Sequence, residues 1–290
     1  MIRRIIDSSD LETISPLFRG KKRSWLRAIG VRLFAIEKVN DLYERSCEYV
    51  GAEFAEHILD DLGVEYLIGH PDHLDNLPEG AFITISNHPY GGIDGIMLID
   101  LLAHKRPDFK VMVNQFLSKV EALKDHFIFV VPKMGRKSPD PKLVMKSIRE
   151  TLLRLKKGHP VGLFPAGAVS MFQFHTMRVR DRKWQEGVLK IIKHANVPIL
   201  PIRFYNGNSI LFYFLGIIDW RIRTIRMPFE LFNKYHRPHR IGIGQMILPE
   251  KLKEFTDMRS LNKYLRSSVY DIPKPTSWCT RKTFKSNQGL

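Results

Sequence analysis

Between residues 61 and 250, short apolar runs alternate with segments whose apolar residues recur at helical spacing. Val64–Ile68, Phe82–Ser86, Phe109–Val113, Phe127–Val131, Val161–Phe164, Pro198–Ile202 and Arg240–Gly244 read as strands. Helical periodicity falls between them, at about 93–104, 116–124, 141–157 and 184–195. Strands that alternate with helices need crossover connections, and those produce parallel pairing. The chain is therefore expected to be α/β: a mainly parallel mixed sheet flanked by helices. Residues 1–60 lack strand texture. Ile5-Ile6, then Trp25, Leu26, Ile29, Leu33 and Phe34, then Leu42, Tyr43 and Cys47 recur at helical spacing. They predict either two helices packed on a core or a basic, aromatic interfacial element. The organisation expected is a helical segment at 1–60, an α/β unit at 61–275 and a frayed tail at 276–290, rich in Lys, Ser and Thr.

Composition narrows the function classes. With 44% hydrophobic and 26% charged residues, the 290-residue chain is neither disordered nor fibrous. Lys and Arg number 46 against 30 Asp and Glu, a formal net charge of +16. Such a surface suits an anionic partner: nucleic acid, anionic lipid, an acidic carrier protein or a phosphorylated cofactor. Cys47 and Cys279 make no C-x-x-C, so neither a disulfide framework nor a zinc site is encoded, and a reducing compartment is expected. Met1–Asp7 meets acid at once, with no apolar stretch of a signal peptide. The longest uncharged apolar run, Ile210–Ile218, falls short of the roughly 20 residues that span a bilayer.

Three blocks carry possible chemistry. Ser86-Asn87-His88-Pro89-Tyr90-Gly91-Gly92-Ile93-Asp94-Gly95 lies where a strand ends and a helix begins, the usual place for ligands in open α/β sheets. Asp94 in the first helical turn can fix one nitrogen of His88 and leave the other as a base. The same residues also read as a turn with a helix-capping Asp and an incidental His. Glycines 91, 92 and 95 allow close approach of a backbone or substrate. Leu163-Phe164-Pro165-Ala166-Gly167-Ala168-Val169-Ser170 follows another strand. Its Pro-x-Gly turn either offers N–H groups to an oxyanion or merely ends the strand. Val197-Pro198-Ile199-Leu200-Pro201 reads as a buried strand bracketed by prolines.

In this order the blocks resemble the glycerolipid acyltransferase family, the lysophospholipid acyltransferase superfamily. That family has His-x(4)-Asp after a strand, then Phe-Pro-Glu-Gly, then Val-Pro-Ile/Val-x-Pro. Here five residues separate His88 from Asp94, and Ala166 stands in place of the Glu. Both departures are similar to a hemolysin-like subgroup that includes ornithine- and glycine-lipid O-acyltransferases. Its pattern is Asn-His-Pro-x-Gly-x-x-Asp-Gly, Phe-Pro-Ala-Gly-x-x-Ser and Asp-x-x-Trp-x-x-Gly. The chain reads Asn87–Gly95, Phe164–Ser170 and Asp181–Gly187 at these places, with Ala168 where the subgroup often has Glu.

The resemblance implies an O-acyltransferase in which His88 is the base and Asp94 orients it. Asn87, Gly91, Gly92, Phe164, Pro165, Ala166 and Gly167 would line the substrate site. It implies no metal and no cofactor, only an acyl carrier protein or coenzyme A thioester as co-substrate. The acceptor would be a lyso-lipid, with a lyso-aminolipid favoured by Ala166 and lysophosphatidic acid the alternative. A membrane surface is the implied partner, with the protein peripheral on the cytoplasmic face.

Basic residues fit that setting. Lys133, Arg136, Lys137, Lys142 and Lys146 crowd one segment, and Arg178, Arg180, Arg182 and Lys183 another. They are either solvated faces or attractors of acidic carriers and headgroups. Ile210–Arg223 joins an apolar aromatic stretch to arginines and reads as a membrane-contacting edge or as a buried strand and helix. His126, His159, His175 and His194 are expected at the surface or as caps. Charge alone favours a nucleic-acid binder, and no RRM-like, zinc-finger or helix-turn-helix signature supports one. A catalytically dead, acyltransferase-like membrane scaffold is the other rival, and the intact His88/Asp94 pair weighs against it.

Overall fold

The computed structural model describes residue 5 and residues 35–131, 140–235 and 238–289. The run containing Trp25, Leu26, Ile29, Leu33 and Phe34, and the basic residues Lys133, Arg136 and Lys137, lie outside the described residues. Helices α1 (Ile36–Ser46) and α2 (Gly51–Asp61) lead into strand β1 (Tyr66–Gly69). Then follow β2 (Ile83–Ser86), α3 (Gly92–Leu102), β3 (Lys110–Asn114), β4 (Phe127–Val130), α4 (Pro141–Lys156) and β5 (Val161–Leu163). A hairpin of β6 (Met171–Gln173) and β7 (Arg178–Arg180) precedes α5 (Glu186–Ala195) and β8 (Ile199–Phe204). After these come α6 (Ile210–Ile218), α7 (Trp220–Phe232), β9 (His239–Ile243), α8 (Pro249–Lys253), α9 (Met258–Tyr270), β10 (Cys279–Thr280) and α10 (Arg281–Asn287).

Eight strands form one sheet in the order β10-β1-β9-β8-β2-β5-β3-β4. Only β10 with β1 and β8 with β9 pair antiparallel, so the sheet is mainly parallel, as the alternation of elements requires. β2 reads Ile-Thr-Ile-Ser and is buried at every position, because helices cover both faces of the sheet. Successive side chains feed opposite layers. Phe82, Leu200 and Ile202 join the core under α1, α2 and α3, with Phe54, Leu59, Leu98 and Leu102. Ile83, Ile85, Leu163 and Ile199 join the other layer, with Trp184, Leu189, Ile192, Leu261 and Leu265. Leu42, Tyr43 and Cys47 of α1 are buried in the first layer, so this part of the N-terminal helical segment packs on the core.

Four expectations need correction. The stretch at 116–124 forms two 3-10 turns, Gln115–Lys119 and Glu121–His126, instead of an α-helix. His126 is buried, its Nδ1 2.7 Å from the Phe109 carbonyl. The tail does not fray: β10 adds a strand to β1, and α10 buries Arg281, Phe284 and Lys285. Arg281 is 1% exposed and pairs with the fully buried Asp100 through Nε–Oδ2 at 2.7 Å. Lys285 Nζ meets Asp100 Oδ1 at 2.7 Å, and the Tyr66 hydroxyl donates to Asp100 Oδ2 at 2.6 Å. A cationic tail thus neutralises an acid buried in the last turn of α3. Finally, residues 210–223 are not a buried strand and helix. They belong to α6 and α7, and Ile210, Leu211, Phe214, Ile217, Ile218, Trp220 and Ile222 are exposed.

Candidate active site

β2 and β5 are neighbours in parallel register, Ile83 opposite Val161 and Ile85 opposite Leu163. Their carboxyl ends therefore emerge side by side, bringing the His88 loop to the Phe164 turn. The His88 and Phe164 rings stack, centroids 4.2 Å apart. His88 Nδ1 lies 2.9 Å from Asp94 Oδ2, an approach oblique to the ring N–H. The same carboxylate oxygen accepts the Tyr90 N–H (2.9 Å) and the Gly91 N–H (3.0 Å), which caps the start of α3. Asp94 thus performs both roles read from the sequence: it caps the helix and it faces the histidine. Burial pushes its carboxyl above the usual carboxylate range, and the histidine and the two amides pull it back. With Nδ1 turned to Asp94, Nε2 on the far side of the partly exposed ring is the nitrogen left for a substrate.

The longer His-to-Asp spacing has a local cause. Gly91, the residue before α3, takes φ +86° and ψ −128°, a conformation open to glycine. A Cβ there would sit 2.7 Å from Met227 Sδ. The role of Gly91 is therefore to shape the loop. Gly92 is exposed, with open space where a Cβ would stand, and leaves room beside His88.

Several expected substrate contacts are already spent inside the protein. The Asn87 amide donates to the Phe204 carbonyl (2.9 Å) and accepts the Phe204 N–H (2.8 Å), splicing β2 to β8 beyond their last ladder bond. Ala166 is fully buried, and its carbonyl accepts Arg182 Nε (3.0 Å) and Gln185 Nε2 (3.2 Å). Pro165 is buried too, its carbonyl taken by the Gln185 N–H at 2.8 Å. The Gly167 N–H closes the turn on the Phe164 carbonyl (2.9 Å), so it is not open to an oxyanion. Gly167 sits at φ +60°, and Gln185 fills the space a side chain would need. Of that turn, Phe164 alone meets the histidine ring.

The residue that sequence reasoning quoted but did not assign is Asp181. Its Oδ1 accepts the His88 backbone N–H (3.2 Å) and the Ser170 hydroxyl (2.5 Å), and its Oδ2 accepts Trp184 Nε1 (3.0 Å). Ser170 N–H in turn donates to the His88 carbonyl at 2.8 Å. Both backbone groups of His88 are thereby fixed by the Ser170–Asp181 unit, which the Asp-x-x-Trp spacing could have flagged. The next loop side is held by Asn208 and Tyr213, whose side chains each donate to the Pro89 carbonyl at 3.1 Å.

Glu56, Asp100 and His104 bring potential metal-ligand atoms within 4.8 Å of one another. Arg281 and Lys285 already occupy that acidic group with their own charges, which makes it an ion-pair network. His159 is half-buried against Asp108 (2.8 Å), and His175 and His194 are exposed, as expected.

Comparison with known proteins shows the family. The chain is 24% identical over 245 residues to the lyso-glycine lipid O-acyltransferase of Bacteroides thetaiotaomicron, covering 81% of this chain and 85% of the relative. It is 26% identical over 276 residues to the lyso-glycine lipid O-acyltransferase of Phocaeicola vulgatus, covering 91% and 94%. Among solved structures it is similar to the 1-acyl-sn-glycerophosphate (LPA) acyltransferase PlsC of Thermotoga maritima, with a TM-score of 0.46 and 14% identity over 92% of this chain and 98% of that one. The family model described as "Acyltransferase" matches residues 13–275. That match takes in every strand of the sheet up to β9 and both halves of the histidine site, so the chain belongs to the acyltransferase family and is an acyltransferase.

Proposed function

We propose that this acyltransferase moves a fatty acyl group from a thioester, on an acyl carrier protein or coenzyme A, to the hydroxyl of a lyso-lipid. The acceptor we propose is an amino-acid lipid of the lyso-glycine type, whose hydroxyl lies on the N-linked fatty chain. The observation that carries the chemistry is the His88–Asp94 pair at the end of β2, with Nδ1 on the carboxylate and the ring partly exposed. The names of the two curated relatives support the acceptor.

In this reading His88 Nε2 takes the proton of the acceptor hydroxyl as its oxygen attacks the thioester carbonyl. Asp94 faces Nδ1 and stabilises the imidazolium that forms. Collapse of the tetrahedral intermediate breaks the carbon–sulfur bond, and the leaving thiolate recovers the proton from His88. The products are an ester and a free thiol, and no cofactor enters the balance.

The place of action we propose is the cytoplasmic face of a membrane, with the protein attached peripherally. No helix among the described residues is long and apolar enough to cross a membrane. The exposed apolar residues of α6 and α7 adjoin the β6–β7 hairpin, where Phe174 is 64% and Met177 71% exposed. Arg178, Arg182 and Lys183 stand exposed next to that hairpin, a pairing of grease and positive charge that suits an anionic interface. The free thiols of Cys47 and Cys279 fit a reducing compartment.

Competition of N-(3-hydroxyacyl)glycine against lysophosphatidic acid in one vessel, with one donor, reads the ratio of specificity constants directly. The amino-acid lipid is expected to win. A clear preference for lysophosphatidic acid would replace the acceptor and leave the His88 chemistry standing. Near-normal turnover by His88→Ala would remove the chemistry itself.

A further inference from the structure

One cation beside the histidine loop, Arg223, has no carboxylate partner among the described residues. Arg223, on α7, threads its side chain under α6, where a Cβ on Gly216 would come within 2.6 Å of Arg223 Cδ. Its guanidinium lies over the Phe212 ring and donates Nη1 to the Ser170 carbonyl at 3.3 Å. Ser170 is the residue whose N–H holds the His88 carbonyl. One helical turn on, Met227 packs against Gly91, so this face of α7 lies along the catalytic loop. Among the described residues no carboxylate pairs with Arg223, and its Nε is buried without an acceptor. The nearest acid on α7, Glu230, is committed to Ser209, Asn233, Lys234 and Arg226. Asp181 turns its oxygens to His88, Ser170 and Trp184. Burial lowers the affinity of Arg223 for its proton, with Arg182 adding repulsion. Arg182, the neighbouring cation, likewise finds only carbonyls, those of Ala166 and Gly167. A half-buried guanidinium left without an anion costs stability, a cost that an anionic ligand would offset.

We propose that Arg223, with Arg182 beside it, binds the anionic headgroup of the acceptor. For a lyso-glycine lipid that group is a carboxylate, which a guanidinium fork can hold in bidentate fashion. A short amide-containing spacer joins that carboxylate to the hydroxyl-bearing carbon, which places the hydroxyl toward His88. The site rests on the acceptor reading above and adds to it the group that is recognised.

The test compares N-(3-hydroxyacyl)glycine with its neutral glycinamide in the wild type, Arg223→Gln and Arg223→Lys. Arg223→Gln is expected to raise KM for the glycine acceptor about ten- to a hundredfold, the range for a charge-assisted bond. It should leave kcat and donor KM nearly unmoved and make no difference to the glycinamide. Arg223→Lys should recover part of the loss, and Arg223→Gln should melt no lower than the wild type. As a measurement independent of any variant, an N-acylglycine lacking the hydroxyl should raise the melting temperature of the wild type more than its amide does. Equal losses on both acceptors, a rise in donor KM alone, or equal melting shifts from acid and amide would overturn the proposal; a donor-only effect would assign the cation to donor phosphates. Wild-type turnover of the glycine acceptor that ignores Arg223 defeats the headgroup site alone, whereas no turnover of that acceptor at all defeats the acceptor reading as well.

Discussion

Asp94 sits beside His88 in a place that resists its charge. Burial raises its carboxyl pKa in the folded state, so it helps folding most at acid pH and loses that contribution as pH rises through the raised value. Asp94→Asn is therefore expected to melt no lower than the wild type at neutral pH. Turnover should fall on the order of a hundredfold or more, because the amide cannot stabilise the imidazolium. Thermal melts and kcat on the same preparation check both halves, and a large loss of stability would contradict the first. Asp181 makes a complementary case. It touches His88 only through the backbone, so Asp181→Asn is expected to lower kcat while leaving acceptor KM nearly alone. The His88–Asp94 pair was legible because its two members sit in one loop at a strand end. Asp181 was harder to assign, since it acts on a residue 93 positions away through main-chain atoms and is marked in the sequence by its Asp-x-x-Trp spacing alone. Asn87 and Ala166 misled for the opposite reason. They flank His88 and the Phe164 turn in sequence, but their own polar groups are used up in holding strands and turns together.

At the scale of elements, seven strands of the main sheet and helices α3, α4 and α5 followed from periodicity, whereas the β6–β7 hairpin, β10 and helices α8 to α10 did not, and α6 shows where periodicity stops. An apolar stretch such as Ile210–Ile218 looks the same whether its partner is the protein core or lipid. The structure buries Phe212 and Tyr213 and leaves Ile210 89% exposed. Ile210→Glu with Phe214→Glu should therefore fold normally and lose binding to anionic vesicles, which sedimentation measures. Unchanged binding would remove α6 from the contact surface. The tail was misread because Lys, Ser and Thr suggest solvent, whereas its charges answer an acid in a distant helix. Arg281→Ala leaves Asp100 to Lys285 and the Tyr66 hydroxyl and is expected to cost about 1 to 3 kcal/mol in chemical denaturation.

For the molecule as a whole, the proposed membrane attachment would draw a long-range attraction from the net charge of +16 beside the short-range apolar face. Binding to anionic vesicles should weaken as salt rises, since the screening length is about 10 Å at 0.1 M and shorter above it. Neutral vesicles of equal size should bind more weakly and show little salt dependence; equal binding to both would assign attachment to apolar contact alone. The sheet supplies the rest of the design. His88 and Phe164 meet because β2 and β5 run side by side in fixed register, and a slip of one residue would turn each side chain to the opposite layer. The geometry around His88 is therefore inherited from the most buried part of the protein, while the β6–β7 hairpin and the α6–α7 pair close around its loop from outside. A change at that outer surface has a short way to travel: Tyr213, Arg223 and Met227 carry it to the histidine in one step.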